Sequence, residues 1–434
     1  MKRTEGLSAR AVRLLAATLL VTPWAFLLAA EEQFDYFENS WSVIGLKDHE
    51  NATRITPANE LLLANKFKAR LSCGPNLTPL SRQQTKTLLD GWLPVVLLKT
   101  EENGVRYEFK LWATPLPTVR DWRAAFDWPT AGENFLNWIE VRASNLGKSP
   151  KQASARLDQF TNTNRTATLG EWTAPLAPGR SAETSFRVPY AAVSDARDVA
   201  KESPQLWLDR TVSYWRNLLA SGARIEVPCE KAMHALKAVH VQQFIDNDHG
   251  VLKGGEGFYD EFYIRDGAYQ IQQFEEAGFA DAARKAVEPY LKSQRPDGRF
   301  ETQKNQFDAN GQALWTLWQY WKITGDRAFL KRAYPQMRRA VEWIKQARRS
   351  TPTDSAFAGV LPTAVADGEY LWDGKHHIVG YDLWNLRGLI CTADAARALG
   401  ETADAQEFRS EADAYRQAID AAWQRSGLPH FLPS

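Results

Sequence analysis

Cysteine and methionine are both scarce, with three of each in 434 residues. Cys73, Cys229 and Cys391 stand far apart, with no CxxC pair or other zinc spacing. That excludes a disulfide framework and offers no zinc site, and no cofactor or metal is expected. Net charge is also missing. The 53 basic and 52 acidic side chains leave +1, with no electrostatic footprint for sequence-independent binding to nucleic acid. No tract is collagenous, of low complexity or acidic enough to stay unfolded. Aromatic residues, by contrast, are abundant, with 17 Trp and 13 Tyr. Their flat faces and polar edges suit sugar rings, although large aromatics serve first as core. The length corresponds to two or three domains of about 150 residues each.

At the N-terminus, Lys2, Arg3, Arg10 and Arg13 precede an apolar run from Leu14 to Ala30, and Glu31-Glu32 follow it. A basic start, an apolar middle and small residues at the end make residues 1–30 a signal peptide, with Leu28 where a small residue is usual. Pro23 and the shortness of the run disfavour a membrane span of about 20 residues. The expected location is periplasmic or secreted. Stable membrane association is expected only if this segment stays uncleaved.

Residues 31–200 form a β-rich domain. Leu93 to Thr100, the pair Asn103-Gly104 and Val105 to Trp112 predict a hairpin, because both central residues of a type I′ turn need positive φ. Val105, Tyr107, Phe109 and Leu111 alternate with Arg106, Glu108 and Lys110. Ile139, Val141 and Ala143 alternate with Glu140 and Arg142 in the same way. Further strands are predicted at Ala153 to Phe160, Ala167 to Trp172 and Thr184 to Val188. Short alternating strands without crossover helices predict an antiparallel β-sandwich.

After a linker helix region (201–228, helical from about Pro204 to Leu219), the apolar period changes to 3.6. Seven helices are predicted over 229–434, at 229–247, 266–277, 280–291, 309–323, 327–347, 382–398 and 401–423. Pro335 is expected to start a fresh turn within the fifth. Three links are tight (Gly278 to Ala280, Thr324-Gly325-Asp326 and Leu399-Gly400), each with a Gly suited to a helix C-terminus. They alternate with three long links, 248–265, 292–308 and 348–381, and links of that length in a compact domain usually carry function. Alternation puts every long link at the same end of the bundle. Arg265, Asp266, Glu301 and Asp373 should therefore meet at one mouth.

At these residues the chain resembles the six-hairpin (α/α)6 glycosidases, above all the glucoamylase type with an N-terminal β-sandwich. Tyr263-Ile264-Arg265-Asp266 is similar to the aromatic-x-Arg-Asp segment that opens the second barrel helix, where Arg and Asp bind the non-reducing sugar. The segment Asp308-Ala309-Asn310-Gly311-Gln312-Ala313-Leu314 is similar to the start of the fourth helix. Leu371-Trp372-Asp373 stands in the link between the fifth and sixth helices, where that family keeps Leu-Trp-Glu with its general acid. Related enzymes place an Asp acid four residues after a Glu, as Asp373 follows Glu369. The resemblance implies a carbohydrate substrate, catalysis by Asp373 and Glu369, and substrate binding by Tyr263, Arg265, Asp266, Glu301, Asp308 and Trp372. Two departures stand out: the acid is Asp rather than Glu, and the family's base and about five further helices have no counterpart in these 434 residues. The expected fold is an antiparallel β-sandwich followed by an (α/α)6 toroid incomplete at its C-terminus.

Glycoside hydrolysis needs one protonated carboxyl for the leaving oxygen and one ionised carboxylate, which activates water in inverting enzymes. Trp372 beside Asp373 would exclude water and raise the carboxyl pKa, and Glu369 would add to that. On pattern alone, Asp373-Gly374 also reads as a turn. Arg265 and Asp266 likewise read as a local ion pair with Asp266 as helix cap. The adjacent His376 and His377 project apart, without a third ligand at a useful spacing. Trp315, Trp318 and Trp321 recur at helical spacing, as core residues do. The expectation is an inverting glycoside hydrolase acting on α-glucosidic bonds, glucoamylase-like or debranching. A phosphorylase on the same fold and a non-catalytic sugar-binding fragment are the alternatives.

Overall fold

The computed structural model describes residues 40–80, 85–130, 132–193, 203–257, 259–364, 376–427 and 429. The predicted signal segment lies outside them. No helix among the described residues is long and apolar enough to cross a membrane. The described chain divides into two compact units. Ile55–Trp112 and Trp138–Phe186 form the first, and Val43–Arg54, Ala113–Asn137 and the chain from Arg187 onward form the second.

The first unit is built from antiparallel sheets. One carries the strands Leu61–Leu62, Phe67–Cys73, Lys151–Thr161 and Asn164–Leu176, and the other Thr85–Leu88, Val95–Glu102, Val105–Pro115, Phe135–Asn145 and Ser181–Pro189. The predicted hairpin forms with Glu102 opposite Val105 and Val95 opposite Trp112. Asn103 and Gly104 both have positive φ, 52° and 72°, as a type I′ turn requires. Val105, Tyr107, Phe109 and Leu111 are buried. Lys110, expected on the open face, is buried too and pairs with Glu140 at 3.3 Å. The sheets face each other, since Ser154 N–H of one donates to the Tyr107 hydroxyl of the other at 3.2 Å. Gly170 makes room for the ring of Phe186, which would stand 2.5 Å from a Cβ there.

Nine helices are described: α1 (Trp122–Asp127), α2 (Pro204–Ala220), α3 (Glu230–Ile245), α4 (Ile264–Glu276), α5 (Ala280–Lys292), α6 (Asp308–Thr324), α7 (Arg327–Arg349), α8 (Val379–Leu399) and α9 (Thr402–Ser426). The seven predicted helices and the linker helix all form. The six-residue α1 was not predicted, being too short to show a period. Its start is marked by Asp121, whose carboxylate accepts from Ala124 N–H at 3.1 Å. The tight links use their glycines as expected, with φ of 80° at Gly278, 73° at Gly325 and 91° at Gly400. Asp326 caps α7 by accepting from Phe329 N–H at 2.9 Å. Pro335 differs from expectation: α7 runs through it without a break. Phe329, Leu330, Ala333, Met337, Ala340 and Val341 are all buried, and an anchored apolar face outweighs the roughly 3 kcal/mol that an interior proline costs.

Helix α6 packs against both α4 and α8, while α5, α7 and α9 lie against these three as a second row. Each tight link leads from the first row to the second, and each long link leads back. The crossing of α6 and α8 is close because both helices carry a glycine there. A Cβ on Gly311 would stand 2.1 Å from the Trp384 carbonyl oxygen, and one on Gly388 would stand 2.9 Å from the Gly311 backbone.

Candidate functional site

The long links bring the N-termini of α4, α6 and α8 to one end of the bundle. Each of these helices holds an aspartate in its first turn: Asp266, Asp308 and Asp382. A carboxylate there is stabilised by the unpaired N–H groups and the positive end of the helix dipole.

The first and second links are stitched together. Ile264 N–H donates to Thr302 Oγ1 at 3.1 Å, and the Tyr263 hydroxyl donates to Glu261 within the first link at 3.3 Å. Arg265 Nε donates to Asp308 Oδ2 at 2.9 Å. Arg265 is half-buried and Asp308 buried, whereas Asp266 is exposed. Arg265 thus forms an ion pair with the start of α6, and Asp266 sits within the first turn rather than at the cap, which is Tyr263. Asp308 Oδ2 also accepts from Gln312 Nε2 at 3.3 Å, and its Oδ1 is buried without a partner among the described residues. Tyr381, at the start of α8, is near enough to Arg265 to act on its charge.

Glu301 is turned into its own link. It pairs with Arg295 at 3.4 Å and Arg299 at 3.3 Å, and it accepts from Asn305 N–H at 2.7 Å. Arg299 in turn lies over the rings of Phe307 and Trp343. The carboxylate thus braces the second link. Glu369, Trp372 and Asp373 lie outside the described residues. The residues that flank their segment, Ala364 and His376, pair through both backbone hydrogen bonds at 2.9 Å. His377 donates through Nδ1–H to the Leu361 carbonyl at 2.8 Å, and its ring stacks on Phe357 at 4.3 Å.

The supporting layer is polar, buried and absent from the sequence reading. Asn310 Oδ1 accepts from Phe300 N–H at 3.0 Å, and its Nδ2 donates to Asn385 Oδ1 at 2.9 Å. Asn385 Nδ2 donates to the carbonyls of Phe307 and Tyr381 at 2.7 and 2.8 Å. These two amides lock the second link to α6 and α8. Asp382 accepts from Leu361 N–H at 2.8 Å and from the Tyr415 hydroxyl at 2.7 Å, which ties the third link to α8 and α9. One to two turns below the Arg265–Asp308 pair, Tyr269, Trp315 and Trp384 meet with centroids 5.6–6.2 Å apart. Trp315 is buried there as core.

Several carboxyls titrate high. Burial, then repulsion from Asp248 and Asp260, pushes Asp246 to about 7. Burial, then Asp246, Asp260 and Asp248, pushes Glu256 to about 8. Burial also lifts Asp248 to about 6, against the pull of Lys253. Composition and spacing could not single these out, because burial causes the shift. At the far end of α4, Glu275 is raised to about 8 by burial and then by Glu276, and both its oxygens are buried without a partner among the described residues. A group with a raised native value binds protons that the unfolded chain has already lost, so its contribution to stability falls as pH rises. For Glu275 the window runs from its ordinary 4.5 to about 8. Urea midpoints of the helical unit are expected to fall across that window. Glu275→Gln should flatten the slope, and an unchanged slope would show that Glu275 is not its source.

Among the described residues, no group of three or more His, Cys, Asp or Glu is arranged to hold a metal ion.

Among curated proteins, none matches this sequence. Among solved structures, a bacterial glucoamylase in complex with acarbose aligns over 87% of this chain at 10% identity, with a TM-score of 0.56. The chain spans 66% of that glucoamylase's length, just under two thirds. An alpha-L-rhamnosidase from Dictyoglumus thermophilum aligns over 78% of this chain and 37% of its own, at 14% identity and a TM-score of 0.40. A rhamnosidase from Klebsiella oxytoca with rhamnose bound aligns over 94% of this chain and 74% of its own, at 12% identity and a TM-score of 0.38. Residues 273–427 match the family model of the bacterial alpha-L-rhamnosidase six-hairpin glycosidase domain. Residues 273–427, which hold the paired helix rows, are thus similar to a six-hairpin glycosidase domain, and the glucoamylase likeness is one of fold.

Proposed function

We propose that this chain is an exported glycoside hydrolase, or the part of one that binds the terminal sugar and carries the general acid. The observation that supports this most is the Arg265–Asp308 pair at 2.9 Å, with exposed Asp266 beside it at the common end of α4, α6 and α8. A guanidinium held in place by one carboxylate, next to a second carboxylate, offers fixed donors and acceptors to vicinal hydroxyls. Asp373, in the link that ends at α8, is the proposed acid, with Glu369 as its partner in raising the pKa and Trp372 as its apolar screen. Water delivered by a separate base would invert the anomeric carbon.

The sugar is either of two. The α-glucosidic reading rests on the motifs around Arg265 and on the glucoamylase likeness, which is a likeness of fold. An α-L-rhamnosidic reading is favoured by the match over residues 273–427. Hydrolysis of p-nitrophenyl α-D-glucopyranoside and of p-nitrophenyl α-L-rhamnopyranoside decides between them, and activity on neither would end the hydrolase proposal. Arg265→Ala removes hydrogen bonds made in the ground state as well as in the transition state. It should raise KM and lower kcat/KM by at least tenfold, or about 1.4 kcal/mol. An unchanged KM would remove Arg265 from the sugar site.

A further inference from the structure

Helix α2 turns one face inward, where Trp207, Leu208, Thr211 and Trp215 are buried. Its other face, at positions 206, 209, 210, 213, 214, 217, 218 and 221, lines a groove of about 810 Å³ whose second wall is α1. Those positions recur every three or four residues, so they form one stripe about 22 Å long at 1.5 Å per residue. The groove's volume lies within the roughly 300–1,000 Å³ of small-molecule sites.

Its chemistry is specific. Arg123 and Arg210 both stack on the indole of Trp122, at 4.6 and 4.4 Å. Among the described residues neither guanidinium has a carboxylate partner, so their planar N–H edges remain as donors. Two acceptors share the groove. Asp209 takes one hydrogen bond from Gln205 at 2.8 Å; Asp127 takes one from the Tyr214 hydroxyl at 3.3 Å and lies 3.6 Å from buried Lys47, whose charge is balanced by Asp48 at 2.7 Å. Two guanidiniums and two carboxylates cancel, which disfavours a polyanion, since it would meet both aspartates. Hydroxyl groups, which each donate and accept, can use both signs at once.

We infer that the groove between α1 and α2 is a second, non-catalytic site for an uncharged oligosaccharide chain. The inference rests on the reading of the protein as a carbohydrate-active enzyme, but on none of the residues at the mouth. A chain lying along the stripe would hold a long substrate on the protein while its end is cleaved elsewhere.

Native gels containing soluble starch or a neutral α-L-rhamnan test this with the full chain. The wild type should be retarded in at least one of them. Ser213→Trp fills the groove from an exposed position, and Arg210→Ala removes one donor. Each should raise the apparent Kd from retardation at least tenfold, with aryl glycoside hydrolysis unchanged within twofold. Equal retardation of Ser213→Trp and wild type would overturn the inference, as would a wild type retarded by neither polysaccharide. Retardation that depends on the groove in a protein inactive on both aryl glycosides would uphold the site and sink the hydrolase reading instead.

Discussion

Asp373→Asn is expected to cut kcat on a natural oligosaccharide by about 10²–10⁴-fold, the usual contribution of a positioned general acid. The substitution keeps shape and volume but leaves no proton of suitable pKa for the departing oxygen. Because that help acts in the transition state, sugar binding should change little. An aryl glycoside, whose leaving group departs without protonation, should recover much of the loss. Glu369→Gln is the companion measurement. If Glu369→Gln alone gives the rescuable loss and Asp373→Asn stays near wild type, the acid is Glu369. If neither variant loses activity, the third link does not carry the chemistry.

Gly311→Ala is expected to destabilise the helical unit at or beyond the roughly 1–3 kcal/mol typical of overpacked cores. The obstacle is the Trp384 carbonyl oxygen, 2.1 Å from the new Cβ, and backbone cannot rotate away as a side chain can. Relief would require α6 and α8 to separate, which would pull Asn310 from Asn385 and shift Asp308 relative to Tyr381. A rise in KM should therefore accompany the loss of stability. Gly380→Ala provides the control, since nothing stands within 4 Å of a Cβ there and φ is not positive. Urea titrations followed by the helical circular dichroism signal compare the two. Equal midpoints would mean that the crossing is looser than 2.1 Å implies.

Much of this architecture is legible locally. A helix C-terminus needs a residue that tolerates positive φ, so Gly278, Gly325 and Gly400 mark the tight links. The Asn103-Gly104 turn betrays its hairpin for the same reason. Alternation of tight and long links then carries a topological consequence, the shared end, without any knowledge of packing. Pro335 is the instructive exception. Its local preference is plain, yet the buried face of α7 overrides it.

Partners distant in the chain are another matter. Arg265 and Asp308 are 43 residues apart and Asn310 and Asn385 are 75 apart, so no period or spacing links them. Glu301 and Asp266 look alike in sequence, as charged residues near long links. Folding turns one inward onto Arg295 and Arg299 and leaves the other exposed. Asp246, Glu256 and Glu275 are ordinary carboxyls by composition, and they titrate high because packing removes the water that would stabilise their charge. Residue type and local backbone preference thus establish the strands, the helices and the end at which the links gather. Which charges pair, which are buried and which face a ligand depends on side chains brought together across tens of residues, because burial and Coulombic contact belong to the packed chain and not to any segment of it.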